Sequence, residues 1–437
     1  MTEGWRPTET LVRALAAGAG CAVVAVTFGR PDLWVLGAPL LVAGVLALVR
    51  RPPLDAHPLR PVADLANRAL REGQRTAVTV RLGGLRGAEQ VTRTVDRAAF
   101  VTVDRQSRTS TRLCDPDEDT HDLVVDLTTE RWGHREVGAG QAAATSPWAG
   151  WRWGPQPVPG RSLTVLPAAA GFASRAQAPH PLGLVGAHQS RRTGDGSEFA
   201  GIRPFAVGDR LRRINWRVSL ATGELHVVQT RAEEDTAVLL LVDALVDVGA
   251  SGGVDGSASS LDLTVRAASA LTEHHLRAGD RVGLRVLGPA EAPVGFGSGS
   301  PHRMRILHSL ARIRPGHSDE ARARRFRLHA PDGTVVLLLT PMLDELTATV
   351  AATVARSGLP LVVVDTLPGG APDDGTTARA RAIAGTAWRM RMVERDLVLG
   401  EVARAGCPVV PWRGPGTLDE VMRRLARRAQ LPRVVQR

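Results

Sequence analysis

The hydrophobic pattern changes character along the chain, and each change predicts a different kind of element. Ala14 to Phe28 and Leu33 to Val49 are nearly unbroken apolar runs separated only by Gly29-Arg30-Pro31-Asp32. Each is slightly shorter than the ~20 residues a spanning helix prefers, and together they read as two helices joined by a tight turn. A cleaved signal sequence fits less well, because it would not be followed at once by a second apolar helix of the same length. Arg6 and Arg13 precede the pair, Arg50, Arg51 and Arg60 follow it, and the turn holds only Arg30 beside Asp32. The positive-inside rule then predicts both ends on the cytoplasmic side. Residues 1–52 are expected to be a transmembrane helical hairpin of a multi-pass protein in the bacterial inner (cytoplasmic) membrane, with the soluble part in the cytoplasm and the lipid bilayer as a partner.

From residue 74 to 167 the pattern shortens to β-branched runs: Thr76 to Leu82, Ala98 to Asp104, His121 to Thr129 and Ser162 to Pro167. Gly and Asp/Pro clusters divide them, which predicts a small antiparallel β-sandwich-like domain. Ser146 to Gly160 holds three tryptophans among Gly and Pro, and that punctuation predicts a packed turn in preference to a binding platform.

Beyond residue 236 wholly apolar strands alternate with amphipathic helices. Ala237 to Asp243, Arg281 to Leu287, Thr334 to Thr340, Leu359 to Thr366 and Cys407 to Trp412 read as strands. Helices are expected near Leu261 to Ala278 and Arg303 to Ile313, along the face of Leu343, Leu346, Val350 and Val354, and around Ala378 to Ala405. A last helix is expected from Thr417, with Glu420 completing a capping box and Leu418, Val421, Met422, Leu425 and Ala429 as its apolar side. Apolar strands bounded by helices predict an α/β domain over residues 236–437, a mostly parallel sheet with helices on both faces. Ligands of such sheets sit at the carboxyl ends of strands, which directs attention to Asp243 to Asp247, Leu287 to Gly299 and Thr340 to Asp344.

Composition changes this picture little. The formal charge is +11, but every basic residue apart from histidine is arginine, and the 437-residue chain has no lysine and no tyrosine. That bias reads as a GC-rich coding background, which weakens the case for nucleic acid. Cys21, Cys114 and Cys407 lie far apart and form no CxxC pair, against a disulfide framework or zinc site and in keeping with a reducing compartment. HExxH, the P-loop and the GxSxG elbow are all absent from the sequence. His274 and His275 diverge on their helix and are expected at its surface.

The least ordinary stretch is residues 190–235, above all Gly196 to Asp235, where Arg203, Arg210, Arg212, Arg213 and Arg217 surround Trp216. A nucleic-acid groove would need a basic run with exposed aromatics, whereas Glu198, Asp209, Glu224, Glu233, Glu234 and Asp235 intersperse negative charge here. A catalytic reading would need a nucleophile with a base; Ser219 and His226 are seven apart with no third group placed beside them. The remaining readings are a partner-docking surface and a clamp between domains, and they are compatible. In the docking reading Ile214 and Trp216 can pack inward while guanidiniums fork onto carboxylates of the adjoining domain or of a partner; in the clamp reading Asp209 and Glu224 serve as internal counter-ions. The residues assigned to it are Arg203, Asp209, Arg212, Arg213, Asn215, Trp216 and Glu224.

This stretch resembles the signature of the domain of unknown function 58 (DUF58) family: Gly-x-x-Phe-x-Gly-hydrophobic-Arg, then Gly-Asp, then Arg-x-Ile-Asn/Asp-Trp, then a Gly-x-Leu strand. The matching residues are Gly196, Phe199, Gly201, Arg203, Gly208, Asp209, Arg213, Ile214, Asn215, Trp216, Gly223, Glu224 and Leu225. Glu130 to Gly138 is similar to the Arg-x-Gly-x-x-x-x-Gly element that closes the β-rich part of such proteins. The resemblance implies a von Willebrand factor A-like fold for residues 236–437 and a MoxR-type AAA+ ATPase as partner. That fold often holds Mg²⁺ with an Asp-x-Ser-x-Ser loop and a later Asp. Here the loop reads Asp243-Ala244-Leu245-Val246-Asp247, and Pro341 stands where related sequences often have Asp. The metal site (MIDAS) is therefore expected to be degenerate, with no cofactor and Asp243 and Asp247 as weak candidates for hydrated Mg²⁺. The expected function is a non-enzymatic interaction or assembly protein. The alternatives are a Mg-dependent hydrolase at the strand ends and a nucleic-acid binder through the Arg/Trp segment.

Overall fold

The computed structural model describes residues 4–53, 58–104, 108–168, 193–206, 209–231, 237–289, 293–316, 330–331, 334–370, 377–414 and 417. The chain divides into two compact units, Met1–Leu166 and Pro167–Arg437.

The first unit begins with the two apolar helices, α1 (Glu9–Thr27) and α2 (Asp32–Val49), both long and apolar enough to cross a membrane. Thr8 starts α1 by accepting the Leu11 N–H on its hydroxyl at 3.2 Å. Small residues let the helices approach closely: a Cβ added to Gly18 would stand 2.7 Å from Leu41, to Gly37 2.7 Å from Cys21, and to Gly44 2.5 Å from Leu15. Their other faces carry exposed apolar side chains, among them Val23, Val26, Val35 and Leu36.

Three sheets follow. One runs β1 (Arg6–Pro7), β11 (Trp151–Val158), β10 (Gly140–Thr145), β5 (Gln90–Val95), β7 (Thr109–Leu113), all antiparallel. A second runs β2 (Val62–Leu65), β4 (Arg75–Gly83), β8 (Thr120–Thr129), β6 (Val101–Val103), also antiparallel. The third sets β12 (Arg161–Leu166) parallel to β3 (Ala69–Arg71) and antiparallel to β9 (Gly133–Val137). Alternation at period two sends Val78, Val80 and Leu82 of β4 and Leu123, Val125 and Leu127 of β8 into one core with Val91, Ala142, Ala144 and Trp153.

The four strands expected from sequence are present as β4, β6, β8 and β12, but eight of the twelve strands among the described residues of this unit lay outside that reading. One of the missed strands, β10, reads Gly-Gln-Ala-Ala-Ala-Thr and is poor in β-branched residues. Tertiary packing supplies what propensity lacks, since the fully buried Trp153 fills the space over Ala142 and Ala144. Ser146 to Gly160, expected as a packed turn, is a single 3-10 turn at Pro147–Ala149 followed by strand β11.

His121 on β8 is buried, and the Glu118 carboxylate stands 3.7 Å from Nδ1. Burial lowers its pKa from 6.5 against the raising pull of Glu118. Because the unfolded chain then binds the proton more readily than the folded one, stability should be fully present above about pH 6.5 and fall below it, by at most ~1.4 kcal/mol per pH unit. Comparing Tm at pH 7.5 and 5.5 for wild type and His121→Gln should show the wild type losing more.

In the second unit, β13 (Thr193–Pro204) and β14 (His226–Arg231) form an antiparallel pair with α3 (Trp216–Thr222) in the connection. A six-stranded sheet follows in the order β17 (Val294–Gly297), β16 (Arg281–Leu287), β15 (Ala237–Asp243), β18 (Val335–Thr340), β19 (Leu361–Asp365), β20 (Val409–Pro411). All pairs are parallel except the edge strand β17, which the sequence reading did not include. Every residue of β15 and β18 is buried, as unbroken apolar strands require. The helices are α4 (Ser260–Arg277), α5 (Gly299–Ala311), α6 (Glu345–Arg356) and α7 (Ala378–Arg404). A reciprocal Ser259/Asp262 capping box starts α4, satisfying two of its free N–H groups. His275 corrects the expectation of a surface residue: it is buried, with Nδ1 2.7 Å from Asp280 Oδ2. The helix expected from Thr417 lies outside the described residues beyond Thr417 itself.

Candidate functional site

The chain reverses between β13 and β14 in a clip whose foundation is polar and internally satisfied. Arg203, at the end of β13, forks onto Asp209, Nη1 to Oδ2 and Nη2 to Oδ1, both at 2.6 Å. Asp209 Oδ2 also accepts the Ala206 N–H at 2.9 Å. The Arg203 guanidinium, aided by that N–H, holds the Asp209 carboxyl below its ordinary range. Asn215 donates its backbone N–H to His226 O at 2.8 Å, and its side chain caps α3 by accepting the Val218 N–H at 3.2 Å. Gly223 ends the helix in the left-handed conformation at φ 77°, the backbone state glycine adopts most readily.

Ser219 Oγ donates to Asn215 O at 2.8 Å and accepts the His226 backbone N–H at 2.9 Å. The His226 ring instead faces Glu224 O at 2.8 Å and Thr222 Oγ1 at 3.2 Å. Serine and histidine ring are thus not a nucleophile–base pair. Ile214 is half-buried and bridges to Val227.

Two expectations are corrected at this clip. Trp216 does not pack inward but is 62% exposed, and Glu224 is exposed and uses its carbonyl, not its carboxylate, inside the clip. Trp216 and Leu220, the latter 82% exposed, are four apart on α3 and so share a face. Leu211, Arg212 and Arg217 are exposed as well, and Arg213 is half-buried. The side chains of Gly196 to Ala200, together with Gly208, Glu233, Glu234 and Asp235, lie outside the described residues.

The second place of interest is where strand order reverses, between β15 and β18, the usual ligand crevice of such sheets. Asp243 ends β15 there. Its Oδ2 accepts the hydroxyls of Thr340 at 2.6 Å and Thr347 at 3.0 Å, and its Oδ1 accepts the Leu245 N–H at 3.0 Å. Burial pushes its carboxyl above the ordinary range against these three donors. Asp247 turns away to the start of α4, accepting the Leu261 N–H at 3.0 Å and the Ser260 hydroxyl at 3.3 Å. Among the described residues no three His, Cys, Asp or Glu side chains cluster as a metal ion would need. Hydrated Mg²⁺ would need the two carboxylates to share one ion, whereas Asp243 is directed to Thr340, Thr347 and Leu245 and Asp247 to Ser260 and Leu261, an arrangement that fits the ion poorly. Sequence reasoning missed two parts of this end of the sheet: Thr347 and the ion pair of Arg395 with Asp365, in which Arg395 Nε also donates to Pro341 O at 2.7 Å. A lone threonine closing an otherwise apolar strand was the available signal for Thr340.

These features define an α/β protein with a β-rich, helix-hairpin companion unit and an Arg/Trp clip. Residues 201–392 match the family described as Protein of unknown function DUF58. Uncharacterised proteins of Mycobacterium tuberculosis and Mycobacterium bovis are 32% identical over 131 residues, 29% of this chain and 40% of theirs. The chain therefore spans about two fifths of the length of the curated relatives it matches. Both findings support the DUF58 family. Among solved structures, the cupredoxin domain of amoB from Nitrosocaldus yellowstonii matches 24% of this chain and 82% of its own at 12% identity, with a TM-score of 0.17.

Proposed function

We propose that this is a membrane-anchored, cytoplasm-facing interaction protein without catalytic activity or cofactor, whose clip docks a protein partner. The partner that the family resemblance implies is a MoxR-type AAA+ ATPase. One observation carries the reading: Trp216 and Leu220 project together from a clip whose own polar groups are satisfied without them. Exposed tryptophan beside arginine is the composition of an interface hot spot. The segment does not favour nucleic acid, since its charge is mixed, with Glu198, Glu224, Glu233, Glu234 and Asp235 interspersed and Arg203 committed to Asp209. The order β17-β16-β15-β18-β19-β20, with its antiparallel edge and buried Asp243, supports a von Willebrand factor A-like domain with a degenerate metal site. The apolar outer faces of α1 and α2 support a bilayer around the hairpin, because the core helices of a soluble protein would be mostly buried, whereas these are 17% buried.

The test is co-purification of the tagged protein from its native membrane in mild detergent. Wild type should recover the ATPase. Trp216→Ala/Leu220→Ala should lose it by roughly tenfold or more, as two hot-spot truncations of over 1 kcal/mol each imply, with thermal unfolding unchanged. Equal recovery with both proteins would refute the docking role.

A further inference from the structure

The 3-10 turn at Pro147–Ala149 is fastened to the root of the helical hairpin from both sides. Thr8, which caps α1, donates its backbone N–H to Gly150 O at 2.9 Å and its hydroxyl to Ala149 O at 2.8 Å. In the last turn of α2, Ala47 O accepts the Trp151 indole N–H at 3.3 Å. Gly150 sits so close to Ala47 that an added Cβ would stand 2.6 Å from the Ala47 Cβ. The turn therefore lies where both helices emerge.

Its backbone is strained. Trp148 at φ 60° and Ala149 at φ 50° both hold left-handed conformations, which are unfavourable for an L-residue. That strain does not bury the indole, because Trp148 remains 60% exposed. Trp151 and Trp153 of the same run behave differently: Trp153 is fully buried and Trp151 is half-buried against the hairpin. A large amphipathic aromatic held outward at the root of an apolar helix pair is placed where a membrane–water boundary would receive it.

Charge points to the same boundary. Arg50 and Arg51 follow α2 directly and are exposed, as is Arg152, which stands opposite Arg6 across the β1–β11 pair. An amphipathic aromatic amid arginines at the end of an apolar helix pair is the composition of the headgroup layer.

We propose that the Pro147–Ala149 turn is an interfacial anchor, with the Trp148 indole seated in the headgroup layer of an anionic bilayer and Arg50, Arg51 and Arg152 on lipid phosphates. The proposal rests on the reading that the hairpin spans the membrane. It makes the tilt of the β-rich unit over the bilayer a property of the turn as well as of the helices.

The test uses the full chain in vesicles of phosphatidylglycerol and phosphatidylcholine with brominated acyl chains. Subtracting the emission of Trp148→Phe from that of wild type isolates Trp148. Trp34→Phe isolates Trp34 at the opposite end of the hairpin and reports insertion on its own. Both difference signals should be quenched by bromolipid and shielded from aqueous iodide. If Trp34 is quenched by bromolipid while Trp148 responds only to iodide, the anchor is wrong and the spanning hairpin stands. If neither responds to bromolipid, the spanning reading fails and the anchor with it.

Discussion

Replacing Asp243 by alanine should destabilise the α/β unit by about 3–5 kcal/mol, since three buried donors lose their acceptor at roughly 1–3 kcal/mol each. The donors are the Thr340 and Thr347 hydroxyls and the Leu245 N–H. Part of that loss is offset, because a carboxylate buried to this degree opposes its own ionisation. Asp243→Asn separates the two terms. It keeps one acceptor and removes the charge, so it should cost about 1–2 kcal/mol, well short of alanine. The pH dependence has a definite sign. With the folded pKa raised above 3.8, the unfolded chain loses its proton first, so the Asp243 contribution is fully present below about pH 3.8 and declines as pH rises towards the folded value. Urea unfolding of the three proteins across pH 4 to 8 should show that decline in wild type and not in Asp243→Asn. Equal stability of alanine and wild type would mean that the threonine cage holds nothing together. Added Mg²⁺ should leave all three midpoints unchanged, because both Asp243 oxygens already accept protein donors in a buried setting.

Arg93 should be the most sensitive position of the β-rich unit. Its guanidinium is fully buried, donates to Gly138 O at 2.9 Å and Val78 O at 3.3 Å, and is pushed down to about 10 by burial. The charge thus holds carbonyls of β4 and of the β9–β10 connection together across the core. Arg93→Ala should cost about 3–5 kcal/mol through the cavity and two orphaned carbonyls. Arg93→Met should cost about half of that, because it fills the volume and removes the buried charge at the same time. Thermal unfolding of both variants decides the matter. Methionine as damaging as alanine would show that the hydrogen bonds, not the packing, dominate.

How much of this was legible in the sequence depended on whether one residue's environment was fixed by its neighbours in the chain. Ala237 to Asp243 and Arg281 to Leu287 were read to the residue, the first from its unbroken apolar run and the second from its Val and Leu residues following the Gly279-Asp280 turn signal. The two apolar helices were legible for the first of these reasons, whereas β10 was not, because its small residues share a core with Trp153 of the neighbouring β11, and β11 itself was hidden among the Gly and Pro of its own sequence. At the clip, the Arg/Trp composition marked the place but not the direction of Trp216, which depends on the Asn215 cap setting the phase of α3. The partners of Asp243 were hidden for a further reason: Thr340 and Thr347 lie about a hundred residues away in sequence. His275 was misread because alternation along a helix does not reveal that Asp280 returns to meet it.

The most direct test of the docking role is site-specific photocrosslinking from the outward face of α3. Leu220 replaced by p-benzoylphenylalanine, at a position 82% exposed in the free chain, should crosslink in native membranes to a AAA+ ATPase subunit, and Trp216→Ala in the same chain should abolish the product. Crosslinks confined to this chain's own residues, unchanged by Trp216→Ala, would contradict the account and make the clip an internal clamp.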